Sequence, residues 1–518
     1  MGSSFASYEI ARSGLYVSQR GLFITGHNIS NVNTPGYVRQ HLVTSESRPI
    51  ALGSFQIGIG VSVDQTRQIR NQFLDILYRD ESHLLGYAEA QSAVIEDVQA
   101  ILGEPFSMGL GNAIDQFFQS WHELSKEPDS LAVRALVRER ATVLVNMINH
   151  IGAQLDKLQE DMNAEIKLTI DMINDIAFKI SELNVKIAGV DGTGDIPNDW
   201  LDERNNLLDE LSKLVDIDVI EKSNGMVDVS VGGVLLVNGS KTTEMVADYN
   251  GPQSRFVTAK WKKDNPDEQP LVKLESGTLK GLLDARGNVQ GFRGSIENGS
   301  LPREVDDVDH DIATDLYVFD PDADDAPKGI IPNLRRGLNI LVNVLARKVN
   351  QIHSQGSGLD GSTDNLFFTK IDDSLAFEIG NIQINPVFNG DEGLNKIAAA
   401  RIGGSAGDNT IAQQIIDLRR NNSLFRTKNL LLNMDGYYNA LITWIGSVGQ
   451  ESERIVQNQT ILMTQIQNKK EAISGVSMDE EMTNIMKYQH AYNASARMIN
   501  LLDEMIDQII NRMGVVGR

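Results

Sequence analysis

The chain has 518 residues, with 47 Lys+Arg against 70 Asp+Glu for a net charge of −23, a 41 % hydrophobic share and no cysteine. That hydrophobic share builds real cores and argues against global disorder, and the length predicts two to four domains at roughly 100–200 residues each. The acidic balance argues against a nucleic-acid binder, whose footprint is a basic patch, and zero cysteine excludes disulfides, thiolate metal sites and a Cys nucleophile.

No run approaches the roughly 18 consecutive apolar residues of a membrane span. Glu9 and Arg12 stand where a signal peptide keeps its apolar stretch. The expectation is a cytosolic chain, or one that leaves the cell without a cleaved Sec signal. Charge is unevenly placed: residues 1–80 carry seven basic and five acidic side chains, and residues 476–518 carry four and six. The whole acidic excess therefore lies between two near-neutral ends. Near-neutral surfaces tolerate close self-association, so the ends are expected to meet other subunits while the middle faces water.

Residues 4–31 read as a helix. Tyr8, Leu15, Leu22 and Ile29 recur every seven residues, as do Ile10, Val17 and Ile24, and the two stripes fall on nearly opposite sides of a helix. A helix apolar on two sides is buried on two sides, either in a globular core or between neighbours in an assembly. Asn33-Thr34-Pro35-Gly36 ends it, because Pro disfavours a helical residue before it and Gly supplies a turn. Tyr37 to Ser45 and Gly53 to Val63 have strand character. Helical periodicity is expected again from about Gln65 to Leu102, and a further helix at about 112–126.

The longest regular feature spans about 130–188. Val137, Ala141, Leu144, Ile148, Ile151, Leu155, Leu158 and Met162 alternate four- and three-residue steps; Ile166, Thr169, Ile173, Ile176, Ile180, Leu183 and Ile187 continue after one extra four-step, a stutter. At ~1.5 Å per residue this predicts a rod of roughly 85–90 Å, a length more usual in extended bundles than in compact enzymes. A short helix is expected at about 200–214, short β runs at 216–290, a helix at 336–354, β character at 365–388, and helices from about 408 to the end. Ser477 and Glu480 form the pattern of a capping box. Beyond it Ile485, Tyr488, Tyr492, Ser495, Ile499, Leu502, Ile506, Ile509 and Met513 keep an unbroken heptad alternation, either a coiled-coil seam or the core face of a packed terminal helix.

The expected fold class is α+β multidomain: a long helical coiled-coil or bundle stalk formed by both chain ends, with a β-rich inserted outer region. The expected divisions are an amino-terminal assembly helix and β segment (1–70), a long-helix bundle (71–200), a β-rich outer region (201–404) with an acidic insertion near 290–335, returning helices (405–475), and a carboxy-terminal assembly helix (476–518).

Chemistry-bearing motifs are weak. Gly356 to Gly361 matches G-x-G-x-x-G but follows a helix, where the dinucleotide fingerprint needs a strand. Gly403 to Gly407 matches G-x-S-x-G around Ser405, yet the only later histidine is His490 inside the terminal heptads. His122-Glu123 lacks the second histidine of a zinc helix. Residues 304–325 hold ten acidic side chains and no Lys or Arg. There Asp320, Asp322 and Asp324 imitate a calcium loop, but Ile331 stands where its bidentate Glu belongs, so the stretch reads as a solvated, mobile loop. No catalytic residue, cofactor site or metal site is expected, and the chain does not read as an enzyme.

Both ends together carry a resemblance. His27-Asn28-Ile29-Ser30-Asn31-Val32-Asn33-Thr34-Pro35-Gly36-Tyr37 resembles the asparagine-rich N-T-x-G-Y motif near the start of bacterial flagellar rod, hook and hook-associated axial proteins, with His27 where the family more often has Asn. Tyr488 to Met505 (YQHAYNASARMINLLDEM) resembles their carboxy-terminal signature. Inward matches, at Asp202 to Leu211, Val237-Asn238-Gly239, Gly277 to Asp284 and Val349 to His353, are similar to the family's hook–filament junction members.

The resemblance implies a structural subunit that self-assembles in a ring or tube, its terminal helices paired along the inner tube and its β-rich part outside. Tyr8, Leu15, Leu22, Ile29 and Ile485 to Met513 would serve as assembly positions. Asn28, Asn31 and Asn33 would satisfy backbone groups at the turn, with Thr34-Pro35-Gly36 fixing it and Tyr37 anchoring it. It also implies hook protein on one side, a second junction protein (hook-associated protein 3) on the other, a cytoplasmic chaperone for the carboxy-terminal helix, and extracellular placement without a cleaved signal. A rod or hook subunit is the alternative, and a secreted enzyme on a flagellar scaffold a more remote one.

Overall fold

A computed structural model describes residues 2–52, 55–103, 109–190, 196–249, 255–263, 265, 269–289, 328–373, 375–427 and 430–508. Ile509, Met513 and the acidic stretch 304–325 lie outside the described residues. The chain opens with α1 (Gly2–Ser30), then β1 (Gln40–Glu46), β2 (Ile50–Leu52), β3 (Phe55–Ile57) and β4 (Val61–Gln68). β1 and β4 pair antiparallel and β2–β3 is a hairpin between them. Helix was expected from about Gln65, but Gln65 to Gln68 complete the ladder to β1. α2 (Gln72–Leu102) starts only after Asn71, whose side chain accepts a hydrogen bond from the Phe73 N–H. Ladder hydrogen bonds outweighed the local helical period there.

Next come α3 (Leu110–Lys126), α4 (Leu131–Val190) and α5 (Asn198–Leu214). α4 has 60 residues, hence a length of ~90 Å. Of its fifteen seam positions all are buried except Leu158, which is half-buried. No single partner helix runs beside it. Different elements cover successive stretches of the seam, and polar side chains of α4 mark the order: Asn149 donates to the Ile382 carbonyl, Asp156 pairs with Arg335, Gln159 donates to the Arg286 carbonyl. Further along, Asn174 exchanges two hydrogen bonds with the Met245 backbone, at 2.8 and 2.9 Å. Asn184 does the same with Val227, at 2.8 and 3.0 Å. An amide presents one donor and one acceptor side by side, so it substitutes for a neighbouring strand.

The elements so pinned are a four-stranded antiparallel meander, β5 (Asp218–Glu221), β6 (Val227–Val231), β7 (Val234–Asn238) and β8 (Lys241–Thr242), and the hairpin β9 (Met245–Tyr249) with β10 (Val257–Trp261). Alternate residues Val227, Val229 and Val231 are buried against α4 and its neighbours.

α6 (Thr278–Arg286) and α7 (Ile330–Ser354) follow, the latter starting six residues before the expected 336. Within 365–388 the expected β character reduces to β12 (Phe368–Thr369) and β13 (Gln383–Ile384); β11 (Gly356–Ser357) precedes them, and α8 (Gly390–Leu394) and β14 (Ala400–Arg401) follow. Side chains replace ladder bonds in this stretch: Asn350 accepts from the Phe367 and Phe368 N–H groups and donates to the Phe368 carbonyl. Phe117, Trp121, His353, Phe367, Phe368 and Phe388 close an aromatic core beneath it. α9 (Thr410–Arg420), the hairpin β15 (Phe425–Thr427) with β16 (Leu430–Leu432), α10 (Met434–Ser474) and α11 (Met478–Asp507) complete the described chain. α10 packs against α2, and α11 packs back on α1. Among the described residues no helix is long and apolar enough to cross a membrane. The fold is α+β, with long helices at both ends and a small sheet-rich middle.

Candidate functional site: the joined chain ends

α1 and α11 lie antiparallel in a regular register. A Cβ on Gly14 would stand 2.8 Å from Ser495 Oγ, and one on Gly21 would stand 2.6 Å from the Tyr488 ring. Asn28 Nδ2 donates to Glu481 Oε2 at 3.2 Å. Each step of seven up α1 is thus a step of seven down α11. The buried line of α1 consists of Ala11, Ser18, Gly21, Ile24, Thr25 and Asn28. Small side chains let the two backbones approach closely.

This differs from the two apolar stripes of the sequence, because neither stripe is the centre line of the contact. The line of small residues runs between them. Leu15, Leu22 and Ile29 are half-buried and Tyr8 is exposed on one flank; Val17 is half-buried, Ile10 exposed and Ile24 buried on the other. Seven-residue recurrence of small side chains at 11, 18 and 25 and at 14 and 21 was the available signal. On α11 the heptad positions Ile485, Tyr488, Tyr492, Ser495, Ile499 and Leu502 are the half-buried ones, whereas Ile506 is exposed.

At the end of α1 the chain turns out through a tight polar knot. Thr34 N–H donates to the Asn31 carbonyl and Tyr37 N–H to the Thr34 carbonyl. Gly36 adopts a left-handed φ of 75°, and a Cβ there would collide with the side chain of Asn206. Asn31 caps the His27 carbonyl, while Asn33 and Pro35 are exposed at the rim of a cleft of about 1480 Å³. Asn28 is fully occupied: it exchanges hydrogen bonds with the Gln40 backbone at 2.9 and 3.0 Å and accepts from the Tyr37 hydroxyl at 2.8 Å. The Tyr37 hydroxyl points its hydrogen at Asn28 Oδ1, so His27 Nδ1, 3.0 Å away, donates to the phenol oxygen.

Residues distant in sequence complete the knot. Glu481, 2 % exposed, receives Arg39 Nε at 2.8 Å, and Glu480 pairs with the same guanidinium. Glu480 therefore serves Arg39 rather than a capping box, and Ser477 makes no side-chain cap. The Arg39 N–H reaches the Ser474 carbonyl at the α10–α11 elbow. Asp202 on α5 accepts from the Val38 N–H at 3.1 Å and from Gln68 at 2.8 Å. Arg70 bridges Asp75 and Asp202, and Lys470 bridges Asp75 and Asp209.

Burial sets the protonation here. Asp202 is pushed up to about 7, first by burial and then by Asp199, against the pull of the Val38 N–H and Arg70. Burial, with Asp199, Asp202 and Glu481 nearby, holds the Tyr37 phenol far above its ordinary value. Burial also raises Asp75, but its hydrogen bond and charge interaction with Arg70 and the Lys470 ammonium outweigh that and leave it below the usual carboxylate range. Such a cluster locks geometry; it holds no nucleophile beside a free base. The family-like Asp202, Gly277 and His353 are likewise structural. Gly277 abuts the Leu214–Val215 backbone, and buried His353 accepts from the Ala398 N–H with its other ring nitrogen against the Asn365 carbonyl.

The remaining motifs stand apart. Ser405 lies on an exposed turn before α9, His490 is exposed on α11, and Gly356 and Ser357 form the short strand β11. His122 is exposed on α3, and among the described residues no group of three His, Cys, Asp or Glu is arranged to hold a metal.

Comparison with known proteins agrees along the whole chain. Residues 471–513 match the family model described as flagellar basal body rod FlgEFG protein C-terminal. Flagellar hook-associated protein 1 of Bacillus subtilis is 27 % identical over all of both chains, and its Salmonella typhimurium counterpart is 24 % identical over 97 % of this chain and 98 % of its own. The structure of the flagellar hook junction protein FlgK from Burkholderia pseudomallei shares the fold, with a TM-score of 0.58 at 14 % identity over 77 % of this chain and all of that one. Residues 95–368, more than half of the sequence, match the flagellar hook-associated protein FlgK helical domain, and the chain belongs to the hook-associated protein FlgK family.

Proposed function

We propose that this chain is a structural subunit of the hook–filament junction, which enters the flagellar axial structure through its joined terminal helices. The observation that carries the reading is the regular antiparallel register of α1 and α11, which brings the first and last segments of a family member into one narrow two-helix arm. An arm two helices wide leaves much of its apolar surface uncovered, so it is completed by neighbouring copies. The assembly positions are the flanks Tyr8, Leu15, Leu22 and Ile29, the turn Asn28 to Tyr37, and the α11 heptad from Ile485 with its continuation to Met513.

Hook protein is the neighbour on one side and hook-associated protein 3 on the other. The subunit is exported without a cleaved signal, its terminal helices ordering at the growing tip, and a chaperone shields the carboxy-terminal heptads beforehand. The chain's membership of a structural flagellar family supports this. Deleting the gene is expected to leave bare hooks and flagellin shed into the medium, seen by electron microscopy and by assay of the culture fluid. Loss of the hook would instead assign the chain to the rod or hook. Intact filaments would reject both. Removing residues 476–518 is expected to abolish chaperone binding and incorporation, and retained incorporation would refute the role of α11.

A further inference from the structure

We propose that the outward methionines of α11 form an oxidation site, where peroxide-class oxidants convert thioethers to sulfoxides and block incorporation of the subunit until they are reduced again. This rests on the assembly reading above and adds a chemical control to it.

The chain holds 15 methionines. Five of them, Met478, Met482, Met486, Met498 and Met505, fall on the 30 residues of α11, and all five are exposed. In the body Met162, Met245, Met434 and Met463 are buried, and Met172 on α4 is exposed. Susceptibility follows exposure, so the reactive thioethers are concentrated on one helix. A thiolate would compete for the oxidant, but the chain has no cysteine.

Placement makes the consequence selective. The heptad positions of α11 turned toward α1 are Ile, Tyr, Ser and Leu, and the polar knot is closed by Glu481, Asn28 and Arg39. Oxidation therefore leaves the α1–α11 contact and the knot in place. What changes is the remaining surface of the helix. Met478, Met482 and Met486 follow at four-residue steps along one flank, and Met498 and Met505 lie one heptad apart on another, with exposed Leu501 between them. A sulfoxide is polar and chiral where the thioether was apolar and adaptable. Covering it without a hydrogen-bond donor is unfavourable.

In each step the sulfur attacks one peroxide oxygen, the S–O bond forms and the O–O bond breaks. The proton on the transferred oxygen passes to the departing hydroxide, giving water. Sulfur loses two electrons and peroxide gains them. Thiol-driven methionine sulfoxide reductases, one for each epimer, restore the thioether.

The test adds purified chain to hooks isolated from cells that lack the gene and counts occupied hooks by immunoelectron microscopy. The chain is used untreated, after dilute hydrogen peroxide, and after peroxide followed by both reductases with dithiothreitol. Peptide mass spectrometry is expected to find sulfoxide on α11 before the buried methionines. Peroxide is expected to weaken binding roughly tenfold, with an unchanged denaturant midpoint, and reduction is expected to restore it. Met172→Leu should leave the peroxide effect in full. Met498→Gln with Met505→Gln places polar side chains there without oxidant and should weaken binding likewise. Equal binding before and after peroxide overturns the inference and leaves the junction reading standing. So does an effect that Met172→Leu abolishes, that reduction fails to reverse, or that comes with a lowered midpoint. Failure of the untreated chain to bind hooks overturns both.

Discussion

α4 and the terminal arm are both long-helix structures with heptad-like seams, yet they are finished differently. Every α4 seam position except Leu158 is buried within the chain. In the arm the buried set is short: among the described residues, six on α1 and Glu481 on α11. α4 is covered by helices that precede and follow it in the chain, by a meander and by a hairpin, whereas each terminal helix packs mainly on the other. The body is therefore stabilised by its own core, and the arm has surface left for neighbours.

The sharpest way to break this contrast is Leu155→Ala in α4. Truncating a fully buried leucine costs about 2–5 kcal/mol, and denaturant unfolding of the isolated chain should show the loss. A small effect would mean that the α4 seam is less tightly covered than its burial indicates.

Second in size is a pH effect at the joint between body and arm. An unfolded Asp titrates at about 3.9, while folded Asp202 is raised to about 7. Between those values the folded chain holds a proton that the unfolded chain has released, so the Asp202 contribution to stability falls as pH rises through the window. At ~1.4 kcal/mol per pKa unit the expected change is on the order of a few kcal/mol. Asp75, held low by Arg70 and Lys470, works in the opposite direction as pH falls. The informative quantity is thus the stability of the parent minus that of Asp202→Asn, measured from pH 4 to 8. A flat difference would contradict the burial of that carboxylate.

Gly21→Val tests the small-residue line. Its side chain would meet the Tyr488 ring, already 2.6 Å from an added Cβ, at a cost of about 1–3 kcal/mol for overpacking. Hydrogen exchange should quicken along α1 and α11 while the α4 core keeps its protection. Uniform loss across the molecule would show that body and arm unfold as one. The smallest effect is expected for Leu501→Ala, exposed on α11: within about 0.5 kcal/mol in the isolated chain, as for surface sites, but with reduced incorporation into flagella. A large loss in the isolated chain would place Leu501 in a core rather than at an assembly flank.

Much of this was legible in advance. The α4 seam and the buried-side heptads of α11 were readable because apolar periodicity is a local property of consecutive residues. The turn at Pro35-Gly36 was readable because its backbone limits are intrinsic to those residue types. The face of α1 that meets α11 was obscured because its apolar stripes mark half-covered flanks, while contact is made where side chains are small. Gln65 to Gln68 and 365–388 misled for a related reason: a ladder to β1 captured the first, and amide side chains replaced ladder bonds in the second.

What the sequence determined alone was the existence, period and approximate bounds of the long helices, the acidic middle between near-neutral ends, and the motif at each end. Only the tertiary structure decided that Asn28 meets Glu481, that Asp202 receives the Val38 N–H, and that successive elements take turns covering α4. Hydrophobic period depends on neighbours along the chain, but desolvation, hydrogen-bond partnership and helix approach depend on which remote segments the fold brings together.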